Sequence, residues 1–371
     1  MVEIGQAFGV DALWINLTLS GFVAMLAVCG LFVGGLADRL GRRRVLLPAL
    51  LIFTLGSLMC GLAQGYGLFL AGRLVQAVGV SAGIAMSMIV IADLYPPERR
   101  AQAMSVAQTL SFMGPVAGPV VGGLIAGHVA WQWSFALLVV AGLAVLAYNA
   151  VLMPETLPPR TPGAAKAAGG SLSRIVGEPS ARALMVLGFS QFYGYYSVLV
   201  HLPVLLDERY GLPVAQRGFV FVPLTVGLLL GVAGVKRLLG RWTRTGLVKA
   251  AGWGSAVVLA LLAAALALDA LPLSLLVALL AAYGLLQGLS LPPQTAILTN
   301  LFAADKGLAI GIYNSVRFAG AAAGPLVAAV LAGHGGTRAV LAGMALLLTV
   351  GAWRVGARLQ DPYERRSSAG G

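Results

Sequence analysis

A few charged side chains stand where a charge is costly. Arg73 and Arg317 each lie within a run of apolar residues, and an arginine inside a membrane helix costs on the order of 3 kcal/mol. Asp93 follows another apolar run, in the segment IADLYPPERR. Each of these groups needs either an opposite charge or a polar cavity. We therefore expect a cationic partner for Asp93, and a polar cavity or a partner for Arg73.

The sequence presents no set of catalytic or metal-binding residues. The histidines His128, His201 and His334 are scattered, and there is no Ser/His/Asp set, His-x-x-x-His pair or phosphate-binding loop. Cys29 and Cys60 lie in apolar runs, where small packing residues are expected. The sequence therefore predicts neither an enzyme nor a bound cofactor or metal.

Long apolar runs are the elements that must position these charges. Of the 371 residues, 59% are hydrophobic and 10% are charged, whereas soluble domains are about 45–50% apolar and about 25% charged. A membrane helix needs about 20 apolar residues, and runs of this length favour helices over barrel strands. The sequence predicts an all-α membrane protein with eleven spans, at 14–37, 45–63, 67–95, 101–126, 132–153, 182–206, 215–238, 247–268, 272–300, 306–333 and 337–357.

The net charge of +12 indicates how the chain is oriented. Most of the 25 lysines and arginines fall in loops on one side of this alternating topology, and the positive-inside rule makes that side cytoplasmic. The positive charge is thus an orientation signal, and we expect no nucleic acid among the partners.

The chain reads as two related halves. The segment QTLSFMGPVAGPVVGGLIAG, residues 108–127, aligns with NSVRFAGAAAGPLVAAVLAG, residues 314–333, and a weaker echo pairs Gly41-Arg42 with Gly240-Arg241. The Pro- and Gly-rich segment 154–181 is typical of a flexible linker. We predict two pseudo-symmetric helix bundles, 1–153 and 182–371, joined by a cytoplasmic linker at 154–181.

The two halves differ in their number of spans. Six predicted spans follow the linker and five precede it, and the basic loop after the first span places Met1 on the outer side. Because the repeat calls for six spans in each half, we expect a further apolar span to be encoded upstream of Met1.

A short basic connector, GLADRLGRRRVLL at 35–47, separates the first two spans. It resembles the signature loop between helices 2 and 3 of the major facilitator superfamily, most closely that of twelve-span drug:proton antiporters of the bicyclomycin and chloramphenicol efflux type. The four-residue spacing of Asp38 and Arg42 would let them meet on a helix turn. The resemblance implies a cytoplasmic charge network of Asp38, Arg39, Arg42 and Asp93 that latches the outward-facing state. The alternative is a simple orientation signal.

Two further motifs support this resemblance. Arg73 in LAGRLVQ matches a helix 4 motif tied to proton coupling, although Ala77 stands where the family has glycine; snorkelling to the surface is the alternative. The segment GPVAGPVVGG matches the helix 5 antiporter pattern with Gly114, Gly118, Pro119, Gly122 and Gly123. Such glycines let a neighbouring helix approach closely, and Pro119 bends its helix. Generic close packing is the alternative for these glycines. The segment Pro154-Glu155-Thr156 is a frequent ending of helix 6 in the family, and it has no assigned role.

Polar side chains in the spans are candidates for a substrate cavity. These are Gln76, Gln108, Gln191, Tyr195, Tyr196, His201, Gln287 and Asn314, with Gln294 and Tyr313 nearby. Such a lining suits an uncharged or amphipathic aromatic compound better than a dianion. For any one of them, an interhelical hydrogen bond is the alternative.

The resemblance implies a monomeric secondary transporter in a prokaryotic cell membrane. Its partners would be a small molecule, protons and the lipid bilayer, and its activity would be proton-driven efflux of hydrophobic or amphipathic compounds by alternating access. A metabolite or sugar exporter of the same fold is an alternative. A sensor or truncated remnant that moves no solute is another.

Overall fold

The computed structural model describes residues 2–94, 120–156, 172–239, 241–302 and 306–362, together with 106–107, 110–111, 114, 118 and 364. Every long element in these residues is an α-helix. Short loops and single glycines separate consecutive helices, as expected where backbone groups must be satisfied within each segment.

The helices fall into two sets along the chain. The first set is α1 (Val2–Phe8), α2 (Ala12–Leu40), α3 (Arg42–Gly61), α4 (Tyr66–Leu94) and α5 (Gln132–Leu152), with residues 120–128 also helical. The second set is α6 (Leu172–Gly177), α7 (Pro179–Tyr210), α8 (Val214–Arg217), α9 (Phe221–Leu238), α10 (Arg244–Ala267), α11 (Leu273–Leu301) and α12 (Lys306–Arg358).

Within the described residues, 9 helices are long and apolar enough to cross a membrane. The longest, α12, contains non-helical backbone at Gly335 and Gly336, which separates the two spans predicted at 306–333 and 337–357. The predicted span at 101–126 lies largely outside the described residues. The predicted all-helical, multi-pass architecture is confirmed.

The chain forms two compact units. One comprises Met1–Ala164 and Pro213–Gly218, and the other comprises Ala165–Leu212 and Phe219–Gly371. The second unit has a continuous core in which Tyr283, Tyr313 and Leu224 are almost fully buried. The first unit holds smaller cores, including an aromatic one of Phe69, Trp131 and Phe135.

A single residue, Gly41, separates α2 from α3. Its φ of 102° is a value that glycine adopts readily and other residues do not. This break corrects the expectation that Asp38 and Arg42 share a helix turn, because Asp38 belongs to α2 and Arg42 is the first residue of α3. The side chain of Asp38 lies outside the described residues.

Glycines bring helix backbones together in the second unit. A Cβ at Gly284 would collide with the carbonyl oxygen of Leu224, and one at Gly288 would collide with that of Leu228, so α9 and α11 touch backbone to backbone. On α12, a Cβ at Gly324 would lie 2.6 Å from the carbonyl oxygen of Tyr193 on α7. Small residues serve this role in membrane bundles because hydrocarbon provides no hydrophobic force between helices.

The antiporter-motif glycines do not show this close approach. A Cβ built on Gly114, Gly118 or Gly122 meets nothing within 4 Å, and one on Gly123 makes an ordinary 3.6 Å contact with Val214. Gly114 and Gly118 are exposed among the described residues, which do not cover their face. Close helix packing at these glycines therefore stays a prediction, whereas the repeat partner of Gly118, Gly324, is tightly packed. Pro119 lies outside the described residues.

We predict that Gly284→Ala and Gly288→Ala lower the free energy of unfolding by about 1–3 kcal/mol, because each methyl group would force α9 away from α11. Thermal unfolding in detergent measures the change. Gly311→Ala on α12 is the matched control, since its Cβ meets nothing within 4 Å and alanine is the better helix former. Equal effects at Gly284 and Gly311 would contradict the packing argument.

Candidate functional site

An ion pair joins two helix ends in the first unit. Nε of Arg42 lies 3.0 Å from Oδ2 of Asp93, and the two side chains are 7% and 16% exposed. The Arg42 guanidinium also donates to the carbonyl oxygen of Ala37 at 2.9 Å. Arg42 therefore holds together the start of α3, the end of α4 and the last turns of α2.

Glu155 completes this arrangement, which we call the Arg42 cluster (Arg42, Asp93, Glu155). Its carboxylate accepts hydrogen bonds from the backbone N–H groups of Arg42 at 2.8 Å and Arg43 at 3.3 Å. These are free donors of the first turn of α3, where the helix dipole also favours an anion. Thr156 donates to Asp93 at 3.4 Å. The segment after α5 thus caps α3, a role that the sequence motif Pro-Glu-Thr did not reveal.

A signal for this cap was present in the sequence. The residue before α3 is Gly41, which has no side chain to cap the helix, so an acceptor had to come from elsewhere. Of the other residues of the predicted charge network, Arg39 is exposed, and the structure describes no contact for the Asp38 side chain.

The second unit contains a matching arrangement. Asp361 lies 3.3 Å from the guanidinium of Arg244 and accepts a hydrogen bond from Asn300 at 3.2 Å. Glu364 accepts from the backbone N–H groups of Arg244 and Thr245 at the start of α10. The sequence echo aligned Arg42 with Arg241, but α10 begins at Arg244, and this arginine occupies the equivalent place.

Arg73 is held inside the first unit. Its guanidinium lies 4.2 Å from the centroid of the Phe22 ring and donates to the side-chain oxygen of Gln76. Gln76 in turn donates to Ser57 at 2.8 Å. Nε of Arg73 is buried and has no hydrogen-bond partner among the residues that the structure describes. This placement favours the predicted interior position over snorkelling.

Most of the amides proposed for a cavity are instead bonded between helices. Gln294 donates to Gln191 at 2.9 Å and accepts from Tyr313 at 2.7 Å, and Gln287 donates to the backbone of Gln191 at 3.5 Å. The three glutamines are at most 3% exposed. They tie α7, α11 and α12 together, which is the alternative role noted for such residues.

Several aromatic rings surround Arg317 in the second unit. The guanidinium lies 4.0 Å from the Phe192 centroid and 5.2 Å from that of Tyr313, and it donates to Asn314 at 3.0 Å. Phe192 in turn contacts the rings of Tyr196 and Phe318 at 6.1 and 5.9 Å.

The remaining candidates are dispersed. Tyr195 packs edge to face on Tyr196 at 5.9 Å, and His201 hydrogen-bonds Thr337 at 2.9 Å near a break in α12. Gln108 lies outside the described residues. Among the polar candidates, Asn314 and Tyr313 therefore contact Arg317, a charge within a helix to which the sequence had given no role.

Comparison with known proteins finds a family model that matches along the chain and relatives that match part of it. The family model described as the Major Facilitator Superfamily matches residues 1–270 and 237–370. Multidrug resistance protein MdtL of Escherichia coli O81 (strain ED1a) is 30% identical over 144 residues, which are 39% of this chain and 37% of that protein. Multidrug resistance protein B homolog of Mycobacterium tuberculosis (strain CDC 1551 / Oshkosh) is 33% identical over 151 residues, 41% of this chain and 28% of that one. The aligned segments thus span well under half of these curated relatives.

Solved structures show the same fold. The D-xylose-proton symporter has a TM-score of 0.75 at 19% identity, covering 94% of this chain and 88% of that chain. At this identity the likeness concerns the fold alone.

We predict that Arg42→Gln and Asp93→Asn are coupled in stability. Each change breaks the same partly buried ion pair, so the double variant should lose less than the sum, with a coupling energy of about 0.5–3 kcal/mol. Unfolding in mixed micelles measures the four free energies. The exposed Arg44 supplies the control, because Arg44→Gln should add to Asp93→Asn. Additive losses for Arg42 and Asp93 would show that their contact contributes nothing.

Proposed function

The chain belongs to the major facilitator superfamily of secondary transporters, and we propose that it uses the proton gradient to export small hydrophobic or amphipathic molecules. It is a membrane transporter and not an enzyme. Export, proton coupling and the multidrug type of substrate are the parts that we propose.

The observation that carries the proposal is the ion pair between Arg42 and Asp93. The pair joins the start of α3 to the end of α4, and Glu155 connects it to the segment after α5. The two charged side chains of the pair are largely buried. Separating these ends would expose or unpair both charges, which is costly for a partly buried pair. We propose that the Arg42 cluster closes the cytoplasmic side in one state and separates in the other. The equivalent cluster of Arg244, Asp361 and Glu364 gives the second unit its own closure.

Proton coupling is assigned to Arg73. A fixed cation inside the membrane raises the cost of a second positive charge nearby and lowers the cost of a negative one. In our proposal, the Arg73 charge therefore makes the binding of a proton in the first unit depend on whatever else is bound there. The interior hydrogen bond to Gln76 and the Phe22 ring keep the guanidinium in place for this role.

The direction and substrate class are supported by the relatives. The two curated relatives described above are multidrug resistance proteins. The alignments cover 39% and 41% of this chain. This resemblance supports efflux, which we therefore put forward as a proposal.

A resistance screen tests the function. The chain, expressed in a bacterial strain that lacks its own efflux pumps, should raise the inhibitory concentration of hydrophobic antibiotics and dyes. In everted vesicles it should accumulate the same compounds only while a pH gradient is present. Transport of sugars or metabolites without drug resistance would instead support a metabolite exporter. Movement of no solute from a broad panel would contradict the proposal.

We predict that Arg73→Gln lowers pH-driven export by roughly tenfold or more without reducing the amount of protein in the membrane. The amide retains hydrogen-bonding capacity near Gln76 but removes the charge. Arg73→Lys, which keeps the charge but not the planar guanidinium, should retain part of the activity. Initial rates in everted vesicles provide the measurement, with Arg44→Gln as control. Wild-type export by Arg73→Gln would exclude a coupling role.

A further inference from the structure

Arg317 lies deep in the second unit, far from either end of its helix segment. It follows Lys306, the start of α12, by roughly 16 Å at 1.5 Å per residue, and precedes the break at Gly335 by roughly 27 Å. The hydrocarbon core of a bilayer is about 30 Å thick. Arg317 therefore lies more than two helix turns inside either end of this span.

The surrounding residues form a built site for its guanidinium, which we call the Arg317 cradle (Gly188, Phe192, Tyr313, Asn314). Phe192 and Tyr313 present their rings to the guanidinium at 4.0 and 5.2 Å. A Cβ on Gly188 would lie 2.9 Å from Cγ of Arg317, so the missing side chain leaves room for the arginine. Tyr313 is fixed by its hydrogen bond to Gln294.

The cradle orients the charge but does not neutralise it. Within the described residues, no carboxylate forms an ion pair with Arg317, and its Nε–H is buried without an acceptor. By contrast, Arg42, Arg209 and Arg244 each pair with an aspartate. Aromatic faces offset only part of the cost of a desolvated cation, so an anion from outside the described protein would gain the most at this position.

We infer that Arg317 binds the carboxylate of an amphipathic aromatic monoanion, which would be the substrate class of the exporter proposed above. A carboxylate offers two oxygens to the planar N–H donors of a guanidinium. One guanidinium balances one negative charge, which disfavours a dianion.

The aromatic body of such a compound has a matching surface. Tyr196 and Phe318 extend from Phe192 as partly exposed rings, within 6.1 Å of it between centroids. They present apolar area beside the charge, and ring contacts of this kind add about 0.5–1.5 kcal/mol beyond burial. The site thus combines one cation with an aromatic wall.

Binding of two matched probes to the full chain tests this inference. Naphthylacetate and naphthylacetamide share the aromatic body and differ in the anionic group. The purified wild-type protein should bind the acid roughly tenfold or more tightly than the amide, as expected for a charge-assisted hydrogen bond. Arg317→Gln should remove this preference while binding of the amide remains, and the amide therefore also reports on folding.

Two further variants sharpen the result. Arg317→Lys keeps the charge but loses the planar donors, so an intermediate preference is expected. Arg354→Gln is the control, because Arg354 lies on the same helix and also contacts a ring, that of Trp353 at 5.6 Å; it should bind both probes as the wild type does. Equal affinity of the wild type for acid and amide would overturn the inference, as would an unchanged preference in Arg317→Gln.

The same measurement separates a substrate from an anionic lipid. Wild-type protein in phosphatidylcholine vesicles with and without phosphatidylglycerol should bind the acid equally well. If phosphatidylglycerol lowers the binding of the acid to the wild type but not to Arg317→Gln, the site would be assigned to a lipid headgroup. That result would overturn the inference.

Failure of the proposed export would be recognised separately. If Arg317→Gln still exports the amide under a pH gradient but not the acid, both proposals hold. If neither probe is exported by the wild type while acid binding depends on Arg317, the anion site stands and the efflux proposal falls.

Discussion

The constraint on which this structure depends is the cost of a polar group without a partner in hydrocarbon. Backbone groups meet it by forming helices throughout the described spans. Charged side chains meet it in two ways. At helix ends they pair with carboxylates, as Arg42 does with Asp93, and within the spans they lie over aromatic rings and bond amides, as Arg73 and Arg317 do. The first arrangement neutralises the charge, whereas the second leaves it without a carboxylate partner among the described residues.

The two end clusters share a plan that extends beyond the arginine. In each unit a carboxylate from the segment after the last helix accepts backbone N–H groups at the start of another helix: Glu155 for α3 and Glu364 for α10. Each cap comes from a segment distant in the sequence, so it connects the chain after the last helix of a unit to the start of an earlier helix. This geometry makes helix ends, rather than helix centres, the points at which either unit can be locked.

Helix packing in the second unit follows from the same hydrocarbon environment. Because lipid tails are as apolar as leucine side chains, helices gain little from simple hydrophobic contact and associate instead through close backbone approach and interhelical hydrogen bonds. Gly284 and Gly288 provide the close approach between α9 and α11. Gln191 and Gln294 provide hydrogen bonds between α7 and α11. The buried amides therefore contribute to cohesion between these helices.

The sequence by itself determined the helical, multi-pass architecture and the superfamily, because these follow from local hydropathy and short motifs. It also identified Asp93 and Arg73 as charges in need of partners. Only the tertiary structure decided which partners they have. Glu155 lies 113 residues from Arg42, and Arg244 rather than Arg241 takes the equivalent place in the second unit. Hydropathy fixes which segments are helices, but which faces of those helices meet depends on side-chain fit between segments distant in the chain.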